Sequence, residues 1–249
     1  MKRRLGLIGG TGLDEFGPAE ASHIVDTAYG RPSASLAEYK VGDTRVFFLP
    51  RHGKRHQLPP HAVNYRANIE AFRQLEVDGV IAINAVGGIT GAYAPGTLCL
   101  PDQLIDYTWG RAHTFSMGAG DALWHIEFAA PFDGPLRSAL LGAAKAVAIE
   151  VKDGGCVGVC QGPRLETAAE IKRLKQDGCD LVGMTSMPEA ALAREAGLDY
   201  ASICVSANWA AGVGKQAVNM ADIEATLKDG MKAVRALLER FFKEPADAG

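Results

Sequence analysis

The sequence predicts an α/β fold of one domain, in which a central mixed, mostly parallel β-sheet is flanked by helices. The length of 249 residues, with 47% hydrophobic and 22% charged residues, is typical of one large globular domain. Short apolar runs alternate with longer stretches of helical periodicity, and several runs are apolar throughout. Strands covered by helices on both faces have this uniformly apolar character. We assign the domain to residues 1–243 and predict that residues 244–249 form a tail.

Ten segments are predicted as regular elements. The short, mostly apolar runs predict strands at residues 4–8, 45–49, 79–84, 98–104, 156–160, 180–184 and 200–206. Apolar residues that recur at intervals of three and four predict helices at residues 62–76, 135–149 and 221–242. Pro135 opens the second helix, at a position that proline favours.

Charge and cysteine content exclude several classes of function. The formal net charge is −3, so no basic excess attracts nucleic acid or an anionic membrane, and we expect neither as a partner. No stretch approaches the roughly 20 apolar residues of a membrane span. The five cysteines, an odd number in apolar surroundings, predict buried thiols in a reducing cytoplasm. Since neither Cys-x-x-Cys pairs nor clustered histidines occur, we expect no metal site.

Glycine-rich or polar segments follow five of the predicted strands. Ligands of an open α/β sheet bind beyond the carboxyl ends of its strands. The segments are GGTG (9–12), PRHG (50–53), NAVGG (84–88), MTSMPE (184–189) and SANWAAG (206–212). Each one alone is equally explained by an ordinary turn, cap or surface pair, but five at equivalent strand ends predict one shared site.

The chemistry of these segments suits an anion. Glycine-rich amides and the Thr11 hydroxyl donate hydrogen bonds, and Arg51 offers a guanidinium fork that matches phosphate oxygens. His52 adds a donor, glycines free the amides around Ala85, and Thr185 stands at a predicted helix start. The segments lack a lysine for a triphosphate, carboxylates for magnesium and the third glycine of a dinucleotide site. They therefore predict a site for one inorganic phosphate, without a cofactor.

Five long segments carry a resemblance to a known family. They are LIGGTGL, LPRHGKRHQLPPHAVNYRANIEAF, INAVGGI, QGPRLETAAEI and VGMTSMPEAALAREAGLDYASICVSANWAAG. From about residue 5 to residue 240, the chain resembles the trimeric purine nucleoside phosphorylase and methylthioadenosine phosphorylase family. The resemblance implies the nucleoside phosphorylase fold, a homotrimer, and phosphorolysis with inorganic phosphate as co-substrate. In that reaction phosphate attacks C1′ of a nucleoside, the purine leaves and a sugar 1-phosphate forms.

The resemblance also implies roles for individual residues. The expected phosphate contacts are Thr11, Arg51, His52, Asn84, Ala85 and Thr185. The expected contacts to ribose and base are Met184, Asn208, Trp209 and Ala210. Glu166 and Met220 fall where the family sets specificity, and His125 falls where a histidine reaches into the neighbouring subunit's site. Adenosine-type members usually have Thr at the position of Asn84.

The residues at the base end predict a 6-oxopurine. The leaving purine is stabilised by a hydrogen bond or proton at N7, and the residue facing N7 also faces the group at C6. Adenine-specific relatives have Asp at the positions of Asn208 and Ala210. The Asn208 amide is expected to donate to both N7 and O6, whereas a carboxylate would repel O6, so we assign Asn208 the catalytic role. Glu166 is expected to accept N1–H of hypoxanthine, which adenine lacks; alternatively, it supplies negative charge to a helix N-terminus.

Met220 and Ile223 predict an apolar pocket for the 5′ end of the sugar. The family's nucleoside phosphorylases place a His in this segment, which suits a 5′-hydroxyl, whereas a thioether and a branched alkyl chain suit a 5′-methylthio group. Ordinary core packing is the alternative for Met220. Together, the two ends predict S-methyl-5′-thioinosine as the substrate, with hypoxanthine and 5-methylthioribose 1-phosphate as products.

Three other functions stay open at this point. A methylthioadenosine phosphorylase that prefers adenine is opposed by Asn208, Ala210 and Glu166. A general inosine and guanosine phosphorylase is opposed by Met220. A non-catalytic nucleoside-binding protein would bind the same ligand without releasing the free base.

Overall fold

The computed structural model describes residues 3–118, 120–121, 125–214 and 220–244. Its strands are β1 (Arg4–Gly9), β2 (Ala21–His23), β3 (Leu36–Val41), β4 (Thr44–Pro50), β5 (Gly79–Gly88), β6 (Leu98–Leu100), β7 (Gln103–Asp106), β8 (Val151–Asp153), β9 (Cys156–Val159), β10 (Leu181–Gly183) and β11 (Asp199–Trp209). Its α-helices are α1 (Tyr65–Gln74), α2 (Pro135–Ala146), α3 (Ala168–Gln176), α4 (Ser186–Glu195) and α5 (Met220–Lys243). Short 3₁₀ turns lie at Pro60–Ala62 and Gly91–Tyr93. Within these ranges, no helix has both the length and the apolarity to cross a membrane.

The strands form one mixed sheet flanked by helices, as predicted. Its main path runs β2-β3-β4-β1-β5-β10-β9-β7, while β11 pairs with β5 and β6, and β6 pairs with β8. The central strand β5 is parallel to β1 and β11 and antiparallel to β10.

The apolar character of β5 follows from helical layers on both of its faces. Val80 and Ala82 pack into the layer that contains α1 and α4, whereas Ile81 and Ile83 pack into the layer that contains α2 and α5. Successive strand residues point to opposite faces of a sheet. A strand covered on both faces is therefore apolar at every position, and all four of these side chains are fully buried.

One edge of β5 carries a gap between two neighbouring strands. Along the other edge, β11 pairs with β5 over its full length. On the gapped edge, β1 pairs with β5 as far as Ala82, and β10 pairs with it at Gly87 and Gly88. Because β1 is parallel and β10 antiparallel to β5, both strands end at this gap. Residues 83–86 of β5 thus have no strand on that side, and their backbone groups are open to side chains or a ligand.

Three strand predictions need correction. The run 98–104 is wrongly predicted as one strand: it forms β6, which pairs with β11 and β8, and β7, which pairs with β9. The break falls at Pro101, which has no amide hydrogen to donate. In addition, β5 continues to Gly88 and β11 to Trp209, so the segments expected as loops there begin as strand. The strands β2, β3 and β8 are absent from the prediction.

The helix predicted at 221–242 is confirmed as α5, one residue longer at each end, whereas the other two predicted helices overrun. α1 begins at Tyr65, because the side chain of Asn64 caps it by accepting the amide of Ala67. α2 ends at Ala146, and two residues later the chain takes a positive φ of 54°, which a helix does not contain. The helices α3 and α4 are predicted only by their starts, which the structure places slightly differently, at Ala168 and Ser186.

Candidate active site

A cavity of about 550 Å³ opens beside the gap in the sheet. Its walls come from the segments after β1 and β4, the open edge of β5, the end of β10, the end of β11 and the first turns of α5. Most of the predicted site residues line it, namely Thr11, Arg51, His52, Ala85, Glu166, Met184, Thr185, Asn208, Ala210, Met220 and Ile223. The strand ends that the sequence marks as one site therefore do share a cavity.

Three predicted site residues do not line this cavity. Asn84 is buried behind it, with 2% of its surface exposed. Trp209 is half-buried at the end of β11, and its backbone rather than its indole contributes to the site, as described below. His125 is exposed on the surface, away from the cavity of its own chain.

Arg51, predicted to offer a guanidinium fork to phosphate, has most of that fork engaged within the protein. It is buried, and its Nε and Nη2 both donate to the carboxylate of Glu189 at 2.7 Å. Its Nη1 donates to the carbonyl of Ile83, on the open edge of β5, at 2.9 Å. Because the charge of Arg51 is already paired, this residue offers an anion directed N–H groups rather than an unpaired positive charge.

The side chain of Asn84 does not reach the cavity itself but binds Thr185, which lines it. The Asn84 amide donates to the hydroxyl of Ser202 at 2.8 Å, and its Oδ1 accepts from the hydroxyl of Thr185 at 2.9 Å. This corrects the prediction of a direct phosphate contact from the Asn84 side chain, because both ends of its amide are engaged inside the protein. The chain Ser202–Asn84–Thr185 fixes the rotamer of the Thr185 hydroxyl, and Thr185 is the one residue of the three that lines the cavity.

His52 is held as a neutral imidazole. Its Nδ1 lies 2.8 Å from the carbonyl of Leu58, which can only accept, so Nδ1 carries the proton. Burial, together with the nearby Arg51 cation, lowers the pKa of His52 to about 4. At neutral pH, Nε2 is therefore left as an acceptor. It suits a protonated oxygen of hydrogen phosphate or a sugar hydroxyl.

The lowered pKa of His52 predicts a loss of stability in acid. The unfolded chain protonates this histidine near its ordinary pKa of about 6.5, whereas the folded chain resists protonation down to about 4. The contribution is therefore fully present above pH 6.5 and is lost as the pH falls toward 4. We expect about 2 kcal/mol of the free energy of unfolding to disappear between pH 7 and pH 5 from this residue.

Urea denaturation at several pH values measures this effect as a difference between variants. His52→Gln is expected to flatten the pH dependence over that window. Equal slopes for His52→Gln and the wild type would show that His52 titrates normally.

Asn208 directs its amide along the chain and into the cavity. The β11 pairing shifts register between Ser206 and Asn208, which turns the strand end toward the cavity. The Asn208 Nδ2 donates to the carbonyl of Trp209 at 2.7 Å. In this arrangement one of the two amide hydrogens that the sequence assigns to a purine is already donated within the protein. One N–H and the acceptor Oδ1 remain for a ligand, and the Trp209 carbonyl fixes which way the amide points.

Glu166 is a carboxylate in need of a donor. Its Oε1 is buried without a hydrogen-bond partner among the described residues. Burial raises the pKa of Glu166, with Glu170 adding to the effect. Glu166 lies outside α3, whose first turn is closed by Thr167 and Glu170 in a reciprocal capping box. That arrangement leaves Glu166 free to face the cavity instead of serving the helix.

Three residues at the site, His56, Gln57 and Arg111, were not predicted from the sequence. His56 and Gln57 line the cavity, and the ring of His56 stacks at 4.6 Å from that of His52. The polar run PRHGKRHQ is the signal that could have found them. Arg111 braces two walls by donating to the carbonyls of Gln161 and Met184, at 2.7 and 2.8 Å. Its partners are distant backbone groups, which leave no mark in the sequence.

The far end of the cavity is apolar. Met220, Ile223 and Leu227 lie on one face of the first turns of α5, and each lines the cavity. Met220 is 63% exposed, so the alternative of ordinary core packing does not hold.

Comparison with known proteins gives the same family by sequence and by structure. The family model described as the phosphorylase superfamily matches residues 4–243. The chain is 52% identical over 222 residues to a probable S-methyl-5′-thioinosine phosphorylase of Xanthomonas campestris pv. campestris, covering 88% of this chain and 89% of the relative. A protein of the same name from Xylella fastidiosa is 49% identical over 244 residues, with 96% and 98% covered.

The fold aligns closely with a solved structure of methylthioadenosine phosphorylase from Schistosoma mansoni in complex with adenine. The TM-score is 0.92 at 34% identity, and the alignment covers 97% of this chain and 91% of the other. Since both the family model and these relatives extend over nearly its whole length, the chain belongs to the phosphorylase superfamily.

Proposed function

We propose that this protein catalyses the phosphorolysis of S-methyl-5′-thioinosine to hypoxanthine and 5-methylthioribose 1-phosphate, without a cofactor. The observation that carries the proposal is the amide of Asn208, which enters the cavity with one donor and one acceptor in a fixed orientation. The names of the two relatives with about half of their residues identical support the same substrate.

Phosphate is expected at the gap beside β5. There the open backbone around Ala85 lies next to the hydroxyls of Thr11 and Thr185, the remaining N–H groups of Arg51 and the acceptor Nε2 of His52. The N–H groups and the Thr11 hydroxyl are donors that suit the charged oxygens of hydrogen phosphate. His52 Nε2 and the oxygen of Thr185, whose hydrogen is donated to Asn84, are acceptors that suit its P–OH. Holding phosphate under C1′ turns a bimolecular attack into a positioned one, and its negative charge stabilises the cation-like sugar as the glycosidic bond stretches.

As the N9–C1′ bond breaks, its electron pair stays on the purine, and the base leaves as neutral hypoxanthine when N7 takes up a proton from solvent. Hypoxanthine protonated at N7 presents a donor at N7 and an acceptor at O6. Asn208 presents the complementary pair, since Oδ1 accepts N7–H while the remaining N–H donates to O6. These bonds strengthen as charge moves onto the base, so they act on the transition state more than on the bound substrate.

The two remaining contacts select the rest of the substrate. The N1–H of a 6-oxopurine supplies the donor that the buried Oε1 of Glu166 lacks, whereas adenine presents only an acceptor at N1. The apolar wall of Met220, Ile223 and Leu227 suits a 5′-methylthio group, which adds on the order of 1–3 kcal/mol when buried there.

A panel of four nucleosides tests the proposal. It crosses 6-oxo with 6-amino bases and 5′-hydroxyl with 5′-methylthio sugars, and free base is measured with and without inorganic phosphate. We expect the highest kcat/KM for S-methyl-5′-thioinosine and release that depends on phosphate. Faster turnover of 5′-methylthioadenosine would contradict the assignment of the base, and faster turnover of inosine would contradict the assignment of the sugar. If no free base is released from any nucleoside, the protein is not an enzyme of this kind.

We further propose that the protein acts as a homotrimer in the cytoplasm. The position of His125 supports the trimer, because this residue is exposed away from its own cavity and a neighbouring subunit is where it could contribute to a site. Light scattering of the purified protein tests the assembly, and a monomeric mass would refute it.

A further inference from the structure

A buried ion pair stands directly behind the cavity. Arg51 is 1% exposed and Glu189 is fully buried, and two bonds of 2.7 Å join them. The hydroxyl of Tyr200 also donates to Glu189 Oε1, at 2.9 Å. Burial by itself lowers the pKa of the Arg51 guanidinium, but the Glu189 carboxylate more than offsets this, so the net pKa is raised.

Two N–H groups of Arg51 have no hydrogen bond among the described residues. A guanidinium has five N–H groups, and three of those of Arg51 are used by Glu189 and the carbonyl of Ile83. One N–H each on Nη1 and Nη2 remains. These two hydrogens are what Arg51 can still offer to an oxyanion. Arg51 lines the cavity, whereas Glu189 does not.

We propose that Glu189 is a positioning residue for phosphate. It fixes the plane and rotation of the Arg51 guanidinium so that the two remaining N–H groups meet the oxygens of phosphate. The inference rests on the proposed function, since it assigns phosphate to this end of the cavity.

Two further features hold the guanidinium in place. Gly10 packs against its other side: a Cβ at this position would lie 2.9 Å from Nη1 and 2.3 Å from the carbonyl of Ile83. Glu189 also belongs to α4, whose N-cap is Thr185. The backbone between them is non-helical at Met187, and this short segment places the hydroxyl that lines the cavity only four residues before the carboxylate that binds Arg51.

Glu189→Gln tests the proposal, because it keeps the shape of the side chain but opposes the N–H groups of Arg51 with an amide donor. We expect KM for inorganic phosphate to rise about tenfold, while KM for S-methyl-5′-thioinosine changes less than about twofold. The rise in melting temperature caused by inorganic phosphate alone is expected to shrink. If Glu189 merely balanced a buried charge, the variant would lose stability and active fraction at unchanged KM for phosphate, and the proposal would be overturned.

The chain offers a matched control on α1. Arg73 and Glu70 form a pair with the same two bonds of 2.7 Å, and neither residue lines the cavity. Glu70→Gln is therefore expected to leave KM for phosphate unchanged. If Glu189→Gln does not fold, Tyr200→Phe carries the test, because it removes only the third bond to the carboxylate. We expect it to raise KM for phosphate about threefold, and an unchanged value would overturn the proposal.

The phosphate-induced thermal shift separates this inference from the proposed function. A wild-type protein that releases no hypoxanthine would refute the proposed function, yet its stabilisation by phosphate could still be compared with that of Glu189→Gln. Equal stabilisation of the two would refute the positioning role alone.

Discussion

Replacing Asn208 by Asp is expected to reverse the base preference, changing the ratio of kcat/KM for S-methyl-5′-thioinosine over 5′-methylthioadenosine by about 10³-fold. The wild-type amide presents Oδ1 and one N–H to the base, because its other N–H is donated to the carbonyl of Trp209. A carboxylate keeps an acceptor for N7–H but replaces the donor by a second acceptor. That acceptor repels O6 of hypoxanthine and accepts N6–H of adenine.

The absolute rates of the Asn208→Asp variant are expected to fall for both substrates. An aspartate oxygen cannot donate to the Trp209 carbonyl, which lies only 2.7 Å from the present amide nitrogen, so the side chain must turn away from that carbonyl. The ratio of the two specificity constants is therefore the informative quantity.

Steady-state kinetics with both nucleosides at saturating phosphate measures this ratio. Asn208→Ala is the control, because it removes donor and acceptor together and should slow both substrates while changing the ratio much less. A ratio for Asn208→Asp within about threefold of the wild-type value would mean that the amide does not face the C6 group of the base.

The fold was largely predictable because its signals are local. The almost entirely apolar character of 79–83 and 200–205, in which Ser202 is the polar exception, follows directly from burial on both faces of the sheet. The ends of these strands were not predictable, since Gly87, Gly88 and Asn208 have poor strand propensity and are held by pairing with distant segments. The full extent of helix α4 was also not predictable, because its sequence has no helical pattern of polar and apolar residues. Its residues from Ser186 to Ala193 are all buried, so no polar face marks a helical period.

Most of the residues that line the cavity were predictable from the sequence, but their hydrogen-bond partners were not. Residue type and position after a strand indicated Arg51 as a phosphate ligand, and Arg51 does line the cavity. Its partner Glu189 lies 138 residues later, in a segment that otherwise predicts a helix start. The same holds for Asn84, whose amide is engaged by Ser202 and Thr185, more than 100 residues away. Long-range pairs of this kind decide which atoms face a ligand, and a local pattern contains no record of them.

Met220→His is expected to favour inosine over S-methyl-5′-thioinosine, shifting the ratio of their kcat/KM values by about 100-fold. The wild-type thioether begins the apolar wall that continues through Ile223 and Leu227, one and two turns along α5. Removing it takes away part of the 1–3 kcal/mol or so that burial of a methylthio group provides. An imidazole in its place donates a hydrogen bond to the 5′-hydroxyl of inosine, which stabilises the complex with inosine by about 1 kcal/mol. The two effects act on the ratio in the same direction.

Two controls separate a sugar contact from a general disturbance of the surface. Met220→Leu keeps the wall apolar, so its ratio should stay within about threefold of the wild-type value. Met117 is as exposed as Met220, at 70% against 63%, but does not line the cavity, so Met117→His introduces the same imidazole at a neutral place. A Met220→His enzyme that slowed both nucleosides equally would indicate a disturbed start of α5. If Met220→His, like Met117→His, leaves the ratio of the two kcat/KM values unchanged, Met220 does not contact the sugar. The preference for a methylthio group would then have no structural cause in this chain.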